Sequence, residues 1–401
     1  MARGDEHCAL NGADVPRRQI EPRTVPASGA PSRIPAQTEG TASPCARSLE
    51  TDLADQARQL GFDLVGIASA SAPPGWPRLQ AWLAAGYAAQ MKYMHHPARA
   101  DPRAVFAEVR SIVVVAISYN PAGHEQTQGA VPEGAEPARP HGRVARYAQG
   151  LDYHRVLKSK LHQLLDWLKE RRPETQGRAV VDSAPLMERD YARLAGLGWF
   201  GKNTMLINKR LGSYLLLGAL LVNLELQPTG AVETDHCGTC TRCLEACPTG
   251  ALLAPGVLDS GRCISYLTIE LRGPVPEPWR GALHQWVFGC DICQEVCPWN
   301  RKAPAGKEPA LQPRPELTSL DLLELLDMSD ADFRRRFGPT ALERARRRGL
   351  VRNAAYVLGT LQCSEAIPAL RRLQEDDDPV VRDAAGWALA RIAANTATVT
   401  S

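Results

Sequence analysis

Eight of the chain's 11 cysteines fall in two runs, and any fold this chain adopts must gather their thiols. The first run is Cys237, Cys240, Cys243 and Cys247 followed by Pro248, spaced C-x2-C-x2-C-x3-C-P. The second starts at Cys263 and continues, after a gap, with Cys290, Cys293 and Cys297 followed by Pro298, repeating C-x2-C-x3-C-P. In the bacterial ferredoxin spacing, three close thiolates hold one cluster and the fourth reaches the other. That rule assigns Cys237, Cys240, Cys243 and Cys297 to one 4Fe–4S cluster, and Cys247, Cys263, Cys290 and Cys293 to a second. Zinc is the competing reading, since C-x2-C knuckles also bind it. Eight cysteines with two C-P endings favour clusters. Two clusters in one module mean electron transfer, and the rest of the chain must say to what.

A chain of 401 residues holds two or three domains. Its 23% charged and 44% hydrophobic content is that of an ordinary globular protein. No run of about 18 apolar residues occurs, so no membrane span is expected. Cysteines grouped for metal rather than scattered for disulfides suit a reducing cytoplasm. Cys8, Cys45 and Cys363 stand alone and read as bystanders. The net charge of +3 names no partner, but its distribution says more. Between Arg334 and Arg352 there are eight arginines against one acid, Glu343. Such a run can be a solvated helix face. Its density and one-sidedness point instead to phosphates.

Residues 1–47 are rich in Pro, Gly, Ala, Ser and Arg without periodicity, and read as a disordered extension or a misplaced start codon. They contain no apolar core of a secretory signal. From 48 to 228 strands and helices alternate, which predicts an α/β or α+β domain. Ser48 opens a helix through Leu53, Ala57 and Leu60 that Gly61 closes. Phe62–Ala68, the β-branched run Ser111–Ser118, Ala179–Asp182 and Tyr214–Leu226 read as strands, and Asp152–Glu170 as a helix. Residues 121–140 read as a loop able to lie over a site, and Ser183 as the cap of a helix with Pro185 in its first turn. The cysteine module occupies 229–305. The region 306–401 is helical. Within about 350–393, Arg352-Asn-Ala-Ala recurs as Arg382-Asp-Ala-Ala, flanking the helix Ala366–Leu373 and an Asp-Asp-Asp-Pro turn, which suggests a HEAT-like repeat.

Several strings in this order carry a family resemblance: Arg146-Tyr-Ala-Gln-Gly-Leu-Asp-Tyr-His154, Val181-Asp-Ser-Ala-Pro185, Ala195-Gly-Leu-Gly-Trp-Phe-Gly-Lys-Asn203, Gly212-Ser-Tyr214, and Phe288-Gly-Cys-Asp-Ile-Cys-Gln-Glu-Val-Cys-Pro-Trp-Asn300. With the repeat behind them, they make residues 48–392 resemble the epoxyqueuosine reductases, the cobalamin-dependent iron–sulfur enzymes of tRNA queuosine synthesis. The resemblance implies reduction of an epoxide on a modified base at the tRNA wobble position. It also implies a cobalamin held base-off on the N-terminal domain, fed by both clusters, and tRNA substrates with a G-U-N anticodon. A monomer and a separate reducing electron donor are expected.

Opening an epoxide to an alkene takes two electrons and a proton for the departing oxygen, so a general acid is needed beside it. The resemblance places that acid at Asp182, in the D-S-A-P string. An aspartate is protonated at pH 7 only where burial raises its pKa. Read alone, Asp182 is as well explained as a helix cap. By the same resemblance Tyr153 and His154 lie near substrate and corrin, and His154 is a candidate cobalt ligand that a base-off arrangement does not require. Lys202, Asn203, Leu206, Asn208 and Ser213 are implied to line the cobalamin pocket, with Arg99 a further polar contact. The glycine-rich turn Gly196–Gly201 lets backbone approach a flat ligand, though it lacks the dinucleotide-binding context. Arg346, Arg347, Arg348 and Arg352 are the expected phosphate contacts. Trp199, Phe200 and Trp299 either stack on a base or pack.

Two other readings compete. A reductive dehalogenase-like enzyme would share the cobalamin and clusters but act on a small halogenated substrate. The arginine run and the helical tail argue against it. A ferredoxin-type electron carrier would leave the N-terminal motifs without purpose.

Overall fold

The computed structural model describes residues 47–121, 139–231 and 233–399. The expected N-terminal extension and nearly all of the expected loop over 121–140 lie outside the described residues. The helix Leu49–Gln59 starts where Ser48 accepts a hydrogen bond from the Thr51 amide, and Glu50 and Asp52 in its first turn oppose the positive end of the helix dipole. Four strands form an antiparallel sheet in the order Leu64–Ser69, Ser111–Ser118, Leu215–Val222, Gly177–Val180. The domain is therefore α+β rather than parallel α/β.

Ser111–Ser118 is buried on both faces, and its alternation divides the core. Val113, Val115 and Ile117 meet Leu53 and Ala57 of the first helix and Leu157, Leu161 and Leu164 of the helix Tyr153–Arg171. Those leucines recur at three- and four-residue steps, forming one apolar stripe. Burying each is worth about 1.5–3 kcal/mol. Ile112, Val114 and Ala116 face the other way, onto Tyr191 and Ala192 of the helix Glu188–Leu194. This helix starts at Glu188 after Met187, which makes no capping bond. Ser183 instead bonds back to the Val181 carbonyl, so the expected Ser183 cap is not formed.

A second sheet joins segments far apart in sequence. Trp286–Phe288 runs parallel to His141–Val144, which pairs antiparallel with Ser319–Asp321. The helices Arg346–Thr360, Ile367–Leu373 and Pro379–Val399 follow. Ala354, Ala355, Ala384 and Ala385 of the two repeated strings are all fully buried, so small side chains let the long helices close on each other. One apolar core runs from Ile264 and Phe288 of the cysteine module to Val381 and Ile392 of the last helix.

Candidate active site

Two cavities organise the chemistry. One, of about 390 Å³, is lined by Leu215, Leu216 and Leu217 at the start of a central strand, by Tyr119, Tyr147, Tyr153 and Asp182, and by Cys247, Cys263, Cys290 and Cys293. The other, of about 250 Å³, is lined by Cys237, Cys240, Cys243 and Cys297 with Lys202, His236 and Trp299. The fold thus divides the eight thiols four and four, with Cys297 crossing to the first run and Cys247 to the second. Among the described residues no three His, Cys, Asp or Glu side chains form a single-ion site. The thiols ring cavities instead of closing on points. Burial pushes the Cys263, Cys290 and Cys293 thiols up, so iron must displace their protons when a cluster assembles. Trp199, fully buried, meets Trp299 edge-on at 5.0 Å and packs with Cys237 and Cys297, so Trp299 walls this cavity and Trp199 backs it. Phe200 lies under the Arg193 guanidinium.

Asp182 sits just past the strand Gly177–Val180 at φ +47°, a left-handed conformation that few side chains other than Asn and Asp tolerate. The Ser183 amide bonds the Val181 carbonyl at 2.5 Å around it, closing a tight three-residue turn. The turn thrusts the carboxylate into the cavity mouth, with 64% of its side chain exposed. The Tyr153 hydroxyl donates to Oδ2 at 2.7 Å, and His154 Nε2 lies 3.4 Å from the same oxygen. His154 Nδ1 meets Asp152 at 2.8 Å, and its ring stacks on Tyr153 with centroids 4.1 Å apart. Asp152 caps the helix that carries both. The helix start thus fixes the Tyr153–His154 pair against Asp182.

Desolvation pushes Asp182 up, but hydrogen bonds from His154 and Tyr153 and the charges of His154 and Arg344 outweigh it, holding the carboxyl at about 2. Burial lowers His154, yet Asp152 and Asp182 raise it to about 9. In this site Asp182 is an anion and His154 carries the proton. The expected protonation of Asp182 is tied to burial beside a corrin; in the chain alone His154 and Tyr153 outweigh burial. Both His154 nitrogens face carboxylates, which leaves neither for cobalt.

Asn203, Leu206 and Ser213 line the Asp182 cavity. Ser213 Oγ also bonds Gln294 and Asn300. Lys202 does not line it. Its ammonium donates to the carbonyls of Gly238 (2.6 Å) and Cys240 (2.9 Å), at the other cavity. Asn208 is a turn residue whose side chain bonds the Leu197 carbonyl and the Arg210 and Leu211 amides. Arg99 donates to the Leu186 carbonyl behind the cavity wall. The glycine-rich turn approaches protein, not ligand. A Cβ on Gly198 would stand 2.1 Å from the Ile207 carbonyl oxygen, and one on Gly196 would stand 2.8 Å from Gly230.

The arginine run is largely neutralised by acids from elsewhere in the chain. Arg344 pairs with Glu270, Arg347 with Asp376 at 2.8 Å, and Arg348 reaches Asp378 at 3.6 Å. Arg352 is 1% exposed and donates to the carbonyls of Leu267, Leu271 and Gly273. It is an internal strut and not a phosphate contact. Arg346 is exposed. Arg344 also lies 5.6 Å from the ring centroid of the half-exposed Tyr93, and its charge is felt at Asp182. Neither Tyr93 nor Glu188, which lines the Asp182 cavity, stood out in sequence, because only the fold brings them there.

Eight thiols in two adjoining cavities, one shared with an ordered Tyr–Asp–His array, define an iron–sulfur oxidoreductase of mixed α and β structure with a helical tail. Family models match in register: "Epoxyqueuosine reductase QueG, DUF1730" over residues 99–183, "4Fe-4S double cluster binding domain" over 236–300 and "HEAT repeats" over 340–400. An epoxyqueuosine reductase of Gloeobacter violaceus is 44% identical over 76% of this chain and 94% of its own. One of Pseudomonas aeruginosa is 39% identical over 86% and 94%. A crystal structure of an epoxyqueuosine reductase with an epoxyqueuosine-modified tRNA-Tyr stem loop superposes with a TM-score of 0.79 at 32% identity, covering 86% of this chain and 90% of that one. The chain belongs to the epoxyqueuosine reductase family and is an oxidoreductase. Among the described residues no helix is long and apolar enough to cross a membrane.

Proposed function

We propose that this chain reduces epoxyqueuosine to queuosine in tRNAs with a G-U-N anticodon. Electrons from a separate donor would enter through two 4Fe–4S clusters, and a cobalamin would lie in the Asp182 cavity. The observation that carries the reading is the single cavity shared by Asp182 and the four thiols of one cluster. A redox centre seated there would touch both the electron source and the proton source.

The cavity's residues fit a corrin. Leu206, Leu215, Leu216, Leu217, Leu252 and Ile264 offer an apolar bed for a flat macrocycle, and Asn203 and Ser213 offer polar edges. Among the described residues no histidine lines it, which suits a corrin that takes no protein ligand. Bound there, cobalamin would supply the two-electron reduction at the substrate carbon. Lys202, Asn208, Arg99 and Arg352 are outside the proposed contacts for the reasons given above.

The chain's own residues handle the proton. Asp182 faces the cavity as a carboxylate, and His154 behind it holds a proton 3.4 Å away. A substrate covering Asp182 excludes water and makes the charge separation between Asp182 and His154 more costly. That moves the shared proton from His154 Nε2 toward Asp182 Oδ2, from which it passes to the epoxide oxygen. Tyr153 keeps Oδ2 aimed. The modified base must leave its stack to reach the cavity. The exposed Arg346 is the basic group that would meet the anticodon loop, since Arg344 is already paired with Glu270. The reading takes the enzyme as cytoplasmic and monomeric.

The test is anaerobic reconstitution with iron, sulfide and cobalamin, then reduction of epoxyqueuosine-bearing tRNA. Mass spectrometry of the nucleosides reads the loss of one oxygen. Conversion by the wild type that vanishes in Asp182→Ala, with clusters and corrin retained, supports the reading. Corrin bound with tRNA untouched moves it to a small substrate of the dehalogenase type, and no corrin bound leaves an electron carrier.

A further inference from the structure

Deoxygenating an epoxide has a stoichiometry that one acid does not meet. Both C–O bonds break, a C=C bond forms, and the oxygen leaves as water. The balance is one epoxide, two electrons and two protons giving one alkene and one water. The electrons come from the reductant of the proposed reaction. The Asp182–His154 pair holds one proton between its two members, so a second must come from elsewhere.

Besides Asp182, two carboxyl groups line that cavity, Glu188 and Asp291. Asp291 lies between Cys290 and Cys293, and its oxygens accept from the Arg146 amide and the Gln294 side chain, so Glu188 is the one with a free oxygen. It begins the helix Glu188–Leu194, whose buried face is pinned by Tyr191 and Ala192, so its position is set by the core. Its Oε1 is shielded from solvent and has no hydrogen-bond partner. A buried polar atom without a partner costs about 1–3 kcal/mol, which a bound group able to accept or donate there would recover. The charged groups around it are few. Asp182 disfavours its ionisation, while Arg99 and Arg189 favour it. Arg189 spends a guanidinium hydrogen on the Thr204 carbonyl and Arg99 on the Leu186 carbonyl, and neither is paired with Glu188.

We propose that Glu188 is the second proton donor: its carboxyl, on the wall it shares with Asp182, delivers the proton that completes the departing water. This rests on the epoxide-reduction reading. Desolvation, opposed by its own backbone amide and the two arginines but reinforced by Asp182, lifts Glu188 to about 8, so it is mostly protonated at neutral pH. The array then holds two mobile protons at rest, one on His154 and one on Glu188. They differ in origin. His154 is charged because it is paired, and Glu188 is neutral because it is unpaired.

The test compares wild type, Glu188→Gln and Glu188→Asp, all loaded with clusters, with cobalamin added for the turnover measurements. Glutamine keeps the size and the hydrogen-bonding capacity but cannot give up a proton in this range. The first readout is independent of turnover. Infrared difference spectra of the protein without cobalamin or tRNA, stepped from pH 6 to pH 10, should show a protonated-carboxyl band that titrates near 8 in the wild type and is missing in Glu188→Gln. The second is steady-state reduction of epoxyqueuosine-bearing tRNA. Glu188→Gln should lose kcat by on the order of 100-fold or more with KM and corrin occupancy unchanged, as expected for removing a positioned general acid. A proton inventory should change from curved, with two protons in flight, to linear. Glu188→Asp should recover part of kcat. The proposal is overturned if Glu188→Gln keeps wild-type kcat, if its defect is confined to KM or corrin retention, or if no carboxyl band disappears. A wild type that leaves epoxyqueuosine untouched sinks the underlying reading instead. Cluster absorbance and melting temperature of each variant separate either result from misfolding.

Discussion

Replacing Arg352 by Met tests whether the arginine run is structure or tRNA surface. The side chain is 1% exposed. Its guanidinium donates to three carbonyls, Leu267 at 2.6 Å, Gly273 at 2.7 Å and Leu271 at 2.8 Å, and to Asn353 Oδ1. Asn353 in turn donates to the carbonyls of Thr268 and Val287. These acceptors lie at the end of the helix Ile264–Ile269, which starts beside Cys263, and on the strand before Cys290. The Arg–Asn pair therefore clamps the first repeat helix to the frame that carries two cluster cysteines. Desolvation lowers Arg352 to about 10, so it is charged at neutral pH. Methionine fills similar volume but leaves three carbonyls unpaired. Each orphaned acceptor costs about 1–3 kcal/mol, and breaking a buried charged network typically costs about 3–5 kcal/mol in total because such losses do not add. The expected fall in melting temperature is about 10 °C, taking roughly 2–3 °C per kcal/mol for a large domain. The assay is thermal unfolding of the cluster-loaded protein, followed by far-ultraviolet circular dichroism and by the cluster absorbance. The salt dependence of tRNA affinity is measured in parallel. A strut predicts a lower melting temperature and an unchanged slope of log K against log salt. An unchanged melting temperature with a slope reduced by about one would refute the reasoning, since that is the signature of a lost phosphate contact.

Other expectations follow from the same contacts. His154 is raised from 6.5 to about 9, so its stabilising contact is fully present below pH 6.5 and lost as pH rises through 9. Asp182 is depressed, so its share is present above 3.8 and lost as pH falls through about 2. Because Asp182 is 64% exposed, the pair is worth roughly 1 kcal/mol. His154→Gln should flatten the alkaline decline in melting temperature between pH 6.5 and 9, and an identical decline in both proteins would contradict the pairing. Gly212→Ala should disrupt the site, since its Cβ would stand 2.1 Å from Asn300 Oδ1 at φ +67°, and the expected result is weakened cluster incorporation measured by iron content. Arg346→Glu should weaken tRNA binding at low salt several-fold, while Arg347→Glu should mainly lower the melting temperature by breaking the Asp376 pair.

What could be read from the chain alone was whatever depends on near neighbours in sequence. Cysteine spacing is local, and so are the Ser48 and Asp152 caps and the β-branched strand Ser111–Ser118. What failed depends on partners far along the chain. Eight arginines against one acid looked like an open basic face until Glu270, Asp376 and Asp378 folded onto it. Lys202 was read with its neighbours in sequence, but its ammonium belongs to the loop of Cys237–Cys240. The strands His141–Val144, Trp286–Phe288 and Ser319–Asp321 are too short to show a period, and pairing alone makes them strands. The internal repeat was visible, yet its two arginines differ. Arg382 bonds the carbonyls of Asp376 and Asp377 within its own repeat, while Arg352 uses the same chemistry to hold the neighbouring module.

In the reaction proposed above, the division of thiols gives electrons a direction. Among the described residues, the cavity shared with Asp182 is the one lined by Cys247, Cys263, Cys290 and Cys293. The other cavity opens beside the exposed Arg242 and is lined by Cys237, Cys240, Cys243 and Cys297. Asn203 lines both cavities and donates toward the Cys293 carbonyl, so little more than one residue separates them. A protein donor would reach the outer cluster first, and the inner cluster would hand electrons to the substrate side. Cys297→Ser separates these roles, because Cys297 lies in the inner sequence run but serves the outer cavity. The variant should lose the outer cluster and keep the inner one, with iron content falling toward half. Reduction of tRNA driven by a small diffusible reductant should then survive in large part, since such a molecule can reach the inner cluster directly. Turnover driven by a protein donor should fall by at least an order of magnitude. Equal losses with both reductants would mean that the outer cluster is not merely an entry port, and loss of both clusters would mean that Cys297 holds the module together rather than one of its metals.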